Sequence, residues 1–337
     1  MNRKSPNSYL AYGLQLVSDS PIAGLIPLES AQWKSPQISV RFHADESKND
    51  GDEALWYTSD IPDENGNPAL KIWKNKANGG YRIDYSHGLE FYVDRDATSI
   101  SVHCCDEPSR VDAAEFLLGP VLGIVLRLRG FTCLHASAVA LGEEAIAFAG
   151  PEGAGKSTTA ALFVEEGHAA LADDVVTLVE RGSCFEVPAG CAYLNLWPES
   201  LEMLRGTYQP APAGKPSSDK RQWALSAEGG KFMGESLPLN AIYLLGERSR
   251  GPNALRVEDL SPQEALMGLV ANTYANKLLD SEMRAREFEL LGRLVKLIRV
   301  RRVTPHEDAS RLRELHEVIL QGMASAQKSA AAASALR

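Results

Sequence analysis

The sequence predicts an α/β fold in which a smaller β-rich domain precedes a larger domain of strands and helices. A strand, a glycine-rich loop and a helix follow one another across residues 145–163, and an apolar run at residues 169–172 ends on two aspartates. The first 110 residues instead alternate apolar and polar side chains, the pattern of half-buried strands. The chain has 337 residues, which is enough for two domains with ample core.

The glycine-rich loop at residues 150–157 reads G-P-E-G-A-G-K-S and fits the pattern G-x-x-x-x-G-K-[ST] of a phosphate-binding loop. The strand before it and the helix after it aim backbone N–H groups and the positive end of the helix at phosphate oxygens. A chance glycine-rich turn is the alternative, and this strand and helix count against it. We expect Lys156 to reach the outer phosphates and Ser157 to hold Mg²⁺. The predicted nucleotide-binding residues are Gly150, Gly153, Ala154, Gly155, Lys156, Ser157 and Thr158.

Two carboxylates, Asp173 and Asp174, end the second predicted strand, and Gly167 ahead of it suits the end of the preceding helix. Ligands of open α/β sheets lie beyond the carboxyl ends of the strands, so we expect the pair to face the phosphates. One carboxylate can hold Mg²⁺ while its neighbour accepts the proton of an attacking hydroxyl. An isolated pair of aspartates more often caps a turn, but the strand and the loop favour the functional interpretation. Which aspartate is the base stays open.

Residues 132–141 are predicted to form one further strand of this sheet, followed by a turn at residues 142–144. The strand contains His135. A single histidine in such a run is usually a core residue, and only its neighbours in the sequence indicate another role.

Those neighbours resemble a known family. The triplet 134–136 (Leu-His-Ala), the loop 150–157 and the stretch 167–174 resemble the C-terminal catalytic domain of the bacterial HPr kinase/phosphorylase, over roughly residues 130–180. The resemblance implies a P-loop kinase domain of the HPr kinase type with ATP and Mg²⁺ as cofactors. It also implies that Lys156 and Ser157 bind phosphates and metal. Asp173 and Asp174 would share metal positioning and general-base work, and His135 would lie beside the transferred phosphate.

The segment at residues 187–201 departs from that family, which has an acidic and glycine-rich stretch there. Its pattern Leu-x-Leu-Trp-Pro-x-Ser, at residues 194–200, resembles HPr-kinase-like proteins outside sugar-transport regulation, including kinases of lasso-peptide precursors. The departure counts against HPr as the substrate and against a phosphorylase reaction. The resemblance implies a peptide or small-protein acceptor, with serine as the target, and allows for a homo-oligomer.

The composition limits the kinds of partner and the cellular location that we expect for the protein. The net charge of −9 argues against general binding of nucleic acid or of anionic membranes. The five cysteines are an odd number without a C-x-x-C pair, which indicates neither a disulfide framework nor a zinc site and favours a reducing, cytoplasmic location. The most apolar stretch, residues 116–126, spans 11 residues and contains Pro120, too short to cross a bilayer.

The alternating pattern predicts four strands and two loops in the first 110 residues. The strands are residues 12–17, 37–42, 81–85 and 89–93, and the last two flank a hairpin signal at residues 86–88. The loops are residues 45–53 and 62–68. No catalytic constellation occurs among them. This β-rich domain, residues 1–111, is expected to hold a substrate peptide or a partner, or to cover the sheet of the second domain.

The second domain, residues 112–322, is predicted to open on a helix that a capping box at residues 112–115 starts and that ends near residue 128. Further strands, helices and one mobile loop are predicted along it. The strands are residues 175–179, 184–187, 239–245 and 299–303, the helices residues 262–278, 281–297 and 310–320, and the loop residues 206–220. A capping box at residues 261–264 is expected to start the first of these helices. Lys220 and Arg221 are candidates to steady the transferred phosphate, or else a solvated basic pair. Residues 323–337, rich in Ala and Ser, are predicted to be a frayed helix or a disordered tail.

These observations favour an ATP- and Mg²⁺-dependent kinase that phosphorylates a hydroxyl of a peptide or small protein. Two alternatives stay open from the residues alone: a nucleotide-binding regulatory module with little turnover, and a kinase for a small molecule.

Overall fold

The structure, a computed structural model, describes residues 7–28, 36–43, 52–86, 88–104, 107–205, 220–225, 229–251 and 254–335. Two large β-sheets and several α-helices make up this part of the chain, so the predicted mixed α/β class is confirmed. None of the described helices combines the length and the apolar content needed to cross a bilayer.

The first sheet has eight strands in the order β1-β2-β3-β8-β7-β6-β5-β4. They are β1 (Asn7–Ala11), β2 (Leu14–Ser18), β3 (Ile38–His43), β4 (Glu53–Thr58), β5 (Leu70–Asn75), β6 (Tyr81–Tyr85), β7 (Leu89–Val93) and β8 (Ser99–His103). The predicted hairpin of β6 and β7 and the predicted strand at residues 37–42 are confirmed. The predicted strand at residues 12–17 is wrong at its start, because Tyr12 and Gly13 adopt positive φ angles of 54° and 76° and form the turn between β1 and β2.

A helical run packs against one face of this sheet. It consists of α1 (Glu107–Phe116), a π-helical turn (Leu117–Val121) and α2 (Leu122–Leu128), and Pro120 lies within the π-helical turn. The predicted capping box is wrong, because Asp112 lies inside α1 and the helix begins at Glu107. The predicted end is confirmed, with Gly130 at a φ of 83° beyond the last turn. The helical run and the sheet share one apolar core. The domain boundary between residues 111 and 112 stays a prediction.

The second sheet supports the candidate site. The remaining strands are β9 (Thr132–Leu134), β10 (Ala136–Leu141), β11 (Glu144–Ala149), β12 (Ala169–Ala172), β13 (Val176–Arg181), β14 (Cys184–Val187), β15 (Tyr193–Leu196), β16 (Arg221–Ala224), β17 (Lys231–Phe232), β18 (Leu237–Leu245), β19 (Arg256–Asp259) and β20 (Arg299–Thr304). Ten of them form this sheet in the order β17-β12-β10-β11-β18-β14-β13-β9, with β20 joined to β18 and β19 to β20. β15 and β16 form a separate antiparallel ribbon.

Helices cover both faces of the second sheet, since side chains of its central strands alternate between two apolar cores. The helices are α3 (Lys156–Glu165), α4 (Pro198–Arg205), α5 (Pro262–Ala271), α6 (Ser281–Leu297) and α7 (Leu312–Ala335). Residues of α3 and α7 belong to one core, and residues of α5 and α6 belong to the other. The capping box that begins α5, formed by Ser261 and Glu264, is confirmed.

Two predictions for this domain differ from the structure. The single strand predicted at residues 132–141 breaks at His135, because its first part pairs with β13 and its second part with β11 and β12. The helix predicted to reach residue 278 ends at Ala271, and the chain then runs beside β9, where the Tyr274 N–H donates to the Cys133 carbonyl over 2.8 Å. The backbone of the predicted tail is helical through Ala335. Residues 206–219 of the predicted mobile loop lie outside the described residues.

Two histidines join α7 to the core. His168, just ahead of β12, and His316 of α7 place their Nε2 atoms 3.2 Å apart, and both rings pack against Phe163. One ring must be neutral to accept this hydrogen bond. Burial lowers the pKa of both histidines, and the charge of His316 lowers that of His168 further. Glu166, Lys231 and Glu317 are the other charged groups that act on the pair.

We expect the contribution of this histidine pair to the free energy of unfolding to fall as the pH drops from 7.5 to 5.5. A folded state that lowers histidine pKa values binds fewer protons than the unfolded chain, whose histidines have a pKa of about 6.5. The stability that the neutral pair contributes is therefore lost as the pH falls below that value. In a His316→Gln variant the decrease should be smaller, as urea denaturation at the two pH values would measure. An equal decrease in the variant and in the unsubstituted protein would contradict this role for the pair.

Candidate active site

The sheet brings the candidate residues to one edge. β11 and β12 run in the same direction, with β10 antiparallel between them, and the ends of β11 and β12 lead into the P-loop and the aspartates. β10 starts at this edge, where Ala136 pairs with Ala149 and Ala138 with Ala172. His135 therefore precedes the strand beside the P-loop, and the register sets Ser137 beside the aspartates.

The P-loop has the predicted strand–loop–helix context between β11 and α3. Three of its glycines occupy positions where a side chain would clash or strain the backbone. A Cβ atom on Gly150 would lie 2.9 Å from the Leu245 carbonyl oxygen, and Gly153 and Gly155 have φ angles of 76° and 96°. The chain between Ala149 and Lys156 thus adopts a tight loop that other residues would strain.

Lys156 is 6% exposed, and its Nζ donates to the carbonyl oxygens of Gly150 and Pro151, each over 3.0 Å. Burial lowers its pKa, and the charge of Lys220 lowers it further. These bonds hold the ammonium group against the loop. A phosphate oxygen is charged and is therefore a stronger acceptor than either carbonyl. Lys156 can thus leave these carbonyls to bind a phosphate.

Asp173 is the more buried of the two aspartates, with 5% exposure. Its Oδ1 accepts from Ser137 Oγ over 2.6 Å, and its Oδ2 accepts from the Asn195 N–H over 2.7 Å. Burial raises the pKa of Asp173 to about 7, and the neighbouring charge of Asp174 adds to the rise, whereas hydrogen bonds from Ser137, Asn195 and Ser157 oppose it. Asp173 therefore lies near Ser157, in the first turn of α3.

Asp174 faces the open side of the site. It has a φ of 60°, in a turn that the Val175 N–H closes by donating to the Asp173 carbonyl over 2.7 Å. Aspartate tolerates this left-handed region better than most residues do. Its Oδ2 accepts from Asn195 Nδ2 over 2.7 Å. The turn thus directs the two adjacent carboxylates into one site with different surroundings.

His135 and Lys220 flank Asp174. The His135 Nε2 lies 3.9 Å and the Lys220 Nζ lies 4.0 Å from Asp174 Oδ1. Burial, followed by the charge of Lys156, lowers the pKa of His135 to about 4, so this imidazole is neutral at pH 7. Its place is fixed by the break between β9 and β10, where the His135 N–H donates to the Asn272 carbonyl over 2.8 Å.

The donor set fits Mg²⁺. Within the described ranges, no group of three or more His, Cys, Asp or Glu residues is arranged to hold a metal ion. Mg²⁺ does not need one, because it typically takes one or two carboxylates and completes its shell with water and substrate phosphates. Two aspartates and the Ser157 hydroxyl, which lies close enough to Asp173 to lower its pKa, supply such a set.

A cavity of about 300 Å³ opens on the other side of the P-loop. Gly155 and Thr158 form its floor, and Arg248, which would lie 3.5 Å from a Cβ on Gly155, borders it. The rest of the lining mixes apolar and charged side chains. It includes the apolar Met203, Leu255, Pro305, Leu312 and Leu315 and the polar Glu199, His306, Asp308 and Arg311. A flat, partly apolar group attached to phosphates at the loop would fit there.

The structure brings together His135, Lys156, Asp173, Asp174 and Lys220, all of which the sequence indicated. Arg221, the predicted companion of Lys220, instead begins β16 opposite Leu196. Sequence reasoning missed Ser137, Asn195 and Arg248. A signal existed for Ser137 alone, since it follows His135 by two positions and so lies on the same side of an extended chain.

Comparison with known proteins adds one distant similarity. The chain is similar in structure to the HPr(Ser) kinase/phosphatase from Coxiella burnetii, with a TM-score of 0.36 and 13% identity, over 61% of this chain and 98% of that chain. No protein-family profile matches the sequence, and neither does any curated protein. A TM-score this low carries no weight for the function, which depends on the residues of the site.

Proposed function

We propose that the protein is an ATP- and Mg²⁺-dependent kinase that transfers the γ-phosphoryl group to a hydroxyl, that of serine, on a peptide or small protein. One observation carries the proposal: a P-loop lysine, an aspartate pair, a neutral histidine and a second lysine converge at one edge of the sheet. Phosphoryl transfer needs cations for the phosphate charge and a carboxylate for the hydroxyl proton. This edge offers both within a few ångströms of each other.

The phosphates would follow the P-loop, where backbone N–H groups at the start of α3 and Lys156 bind them. Lys220, whose Nζ lies 4.0 Å from Asp174 Oδ1, would face the same γ-phosphoryl group. Ser157, Asp173 and Asp174 would hold Mg²⁺, which neutralises charge on the phosphates when it is bound. Most of the rate enhancement would then come from positioning and electrostatics.

The aspartate pair would take the proton of the acceptor hydroxyl. A general base works best with a pKa near the working pH, and in the metal-free site Asp173 has its pKa raised to about 7. Asp174 is the better exposed of the two. His135 is neutral at pH 7 and can therefore share a hydrogen bond with the transferred phosphate without adding a charge. The pair accordingly combines metal positioning with proton acceptance.

The cavity beside Gly155 would take the base and the ribose of the nucleotide, with Arg248 against the phosphates. We expect Arg248→Ala to raise the KM for ATP about tenfold and to change kcat less than about threefold, because a charge-assisted hydrogen bond contributes about 1.5–3 kcal/mol. Steady-state kinetics would measure both constants. Arg250→Ala is the matched control, since this arginine of the same loop is exposed and pairs with Glu307 over 2.6 Å. Equal KM values for the two variants would contradict this placement of the nucleotide.

Intact-mass analysis of acceptors tests the proposed function. We would incubate the protein with ATP, Mg²⁺ and either HPr or a lasso-type precursor peptide with a terminal serine. A gain of one phosphate, about 80 Da, on the peptide and not on HPr is the expected result. No gain on either acceptor, with ATP bound and intact, would contradict the kinase and favour a regulatory nucleotide-binding module. A homo-oligomer and a cytoplasmic location stay predictions.

A further inference from the structure

We infer that Asn195 is a positioning residue that fixes Asp173 and Asp174 relative to each other. Its backbone N–H donates to Asp173 Oδ2 and its side-chain Nδ2 donates to Asp174 Oδ2, each over 2.7 Å. One residue thus bonds both carboxylates of the pair. The catalytic consequence of this contact rests on the proposed function, whereas its geometry does not.

The pair needs such a donor because two adjacent carboxylates repel each other. Asp173 has a second partner, Ser137, at 2.6 Å. For Asp174, neutral His135 and the Lys220 ammonium group lie farther away than a hydrogen bond, at 3.9 Å and 4.0 Å. Within the described part of the chain, the Asn195 side chain is the one hydrogen-bond donor to the Asp174 carboxylate. The orientation of that carboxylate therefore depends on Asn195.

Asn195 is itself held firmly. It lies in β15 opposite Gln222 of β16, and the flanking Leu194 and Leu196 are fully buried. The same segment continues into α4, where Ser200 Oγ lies 3.0 Å from Thr158 Oγ1 at the start of α3. One stretch of chain thus contacts the aspartates at one end and the helix after the P-loop at the other.

This stretch fixes the distance between the carboxylates and the phosphate-binding loop. A positioning residue of this kind should act on the chemical step and not on nucleotide affinity, because the P-loop contacts do not involve Asn195. A residue that only stabilises the fold would not separate kcat from KM.

The test compares Asn195→Ala with Asn240→Ala. Asn240 makes an equivalent half-buried bond to a carboxylate, from its Nδ2 to Glu144 Oε2 over 2.8 Å, but lies away from the site. We expect Asn195→Ala to lower kcat by about 10–100-fold, the range seen when groups that orient metal-binding or catalytic side chains are removed. The KM for ATP should stay within about twofold, and Asn240→Ala should change neither constant. A KM change alone, or a kcat equal to that of Asn240→Ala, would overturn the inference.

Asn195→Asp keeps the size of the side chain and the backbone N–H donor. This variant therefore tests the positioning role of Asn195 if Asn195→Ala fails to fold. It places a third carboxylate against Asp174 and should lower kcat at least as much. If the unsubstituted protein transfers no phosphate, the proposed function fails. Crystal structures of the unsubstituted protein and of the Asn195 variants then test the inference separately. A displaced Asp174 carboxylate in a variant would support it, and an unmoved one would overturn it.

Discussion

Replacing Lys156 with alanine should lower the rate of phosphoryl transfer by at least about 1,000-fold, because electrostatic stabilisation of the transferred group is among the largest contributions to such catalysis. No other described cation donates to the P-loop carbonyls, where Lys156 Nζ bonds to two of them. Lys220 lies 4.0 Å from Asp174 Oδ1 and does not contact those carbonyls, so it should not substitute for Lys156. The measurement is the initial rate with ATP, Mg²⁺ and the acceptor that intact-mass analysis identifies.

Lys231→Ala is the control for this variant. Lys231 also donates to a backbone carbonyl, that of Gly167, over 2.9 Å, but it is exposed and lies outside the site. Its rate should stay within about twofold of the unsubstituted protein, since surface contacts of this kind contribute little. A folded Lys156→Ala variant with full activity would show that the P-loop does not serve the reaction.

Asp173→Asn should abolish activity and yet stabilise the protein at pH 8. The activity should fall by at least about 100-fold, because the amide can neither accept the hydroxyl proton nor offer a charged oxygen to Mg²⁺. The fold should tolerate the change. The new carbonyl can accept from the Asn195 N–H, and the new NH₂ group can donate to Ser137 Oγ.

The gain in stability follows from the sign of the pKa shift. Burial raises the pKa of Asp173 to about 7, above the value in the unfolded chain. The folded protein therefore binds a proton more tightly than the unfolded chain does, and above pH 7 the ionised carboxylate lowers stability. Urea denaturation at pH 8 should show a larger free energy of unfolding for Asp173→Asn. A large loss of stability would instead mean that this aspartate serves the fold.

Features of the fold that depend on local sequence could be predicted, and those that depend on distant contacts could not. The hairpin of β6 and β7 and the capping box of Ser261 and Glu264 follow from short patterns of side chains. The break at His135 does not, because it arises where residues 272–274 run beside β9. β4 was missed because Ala54 and Leu55 are both exposed, so the strand lacks clear alternation.

The candidate site divides in the same way. The P-loop is a local motif whose glycines are required by its own backbone, and the aspartates end a strand that could be recognised. Asn195 and Lys220 reach the aspartates because two separate segments pair as β15 and β16. Pairing of distant strands is not encoded in any short pattern. The sequence therefore indicated the phosphate-binding groups, the acidic groups and Lys220, but not Asn195, which bonds both aspartates.

A crystal structure with Mg²⁺ and a non-hydrolysable ATP analogue tests the central claim most directly. The account predicts the β- and γ-phosphates against the loop of residues 150–157, the γ-phosphoryl group between Lys156 and the aspartate pair, and the base in the cavity beside Gly155. Lys156 Nζ should then leave the carbonyls of Gly150 and Pro151 for a phosphate oxygen. Phosphates bound elsewhere, or no binding at millimolar concentrations of the analogue, would contradict the account.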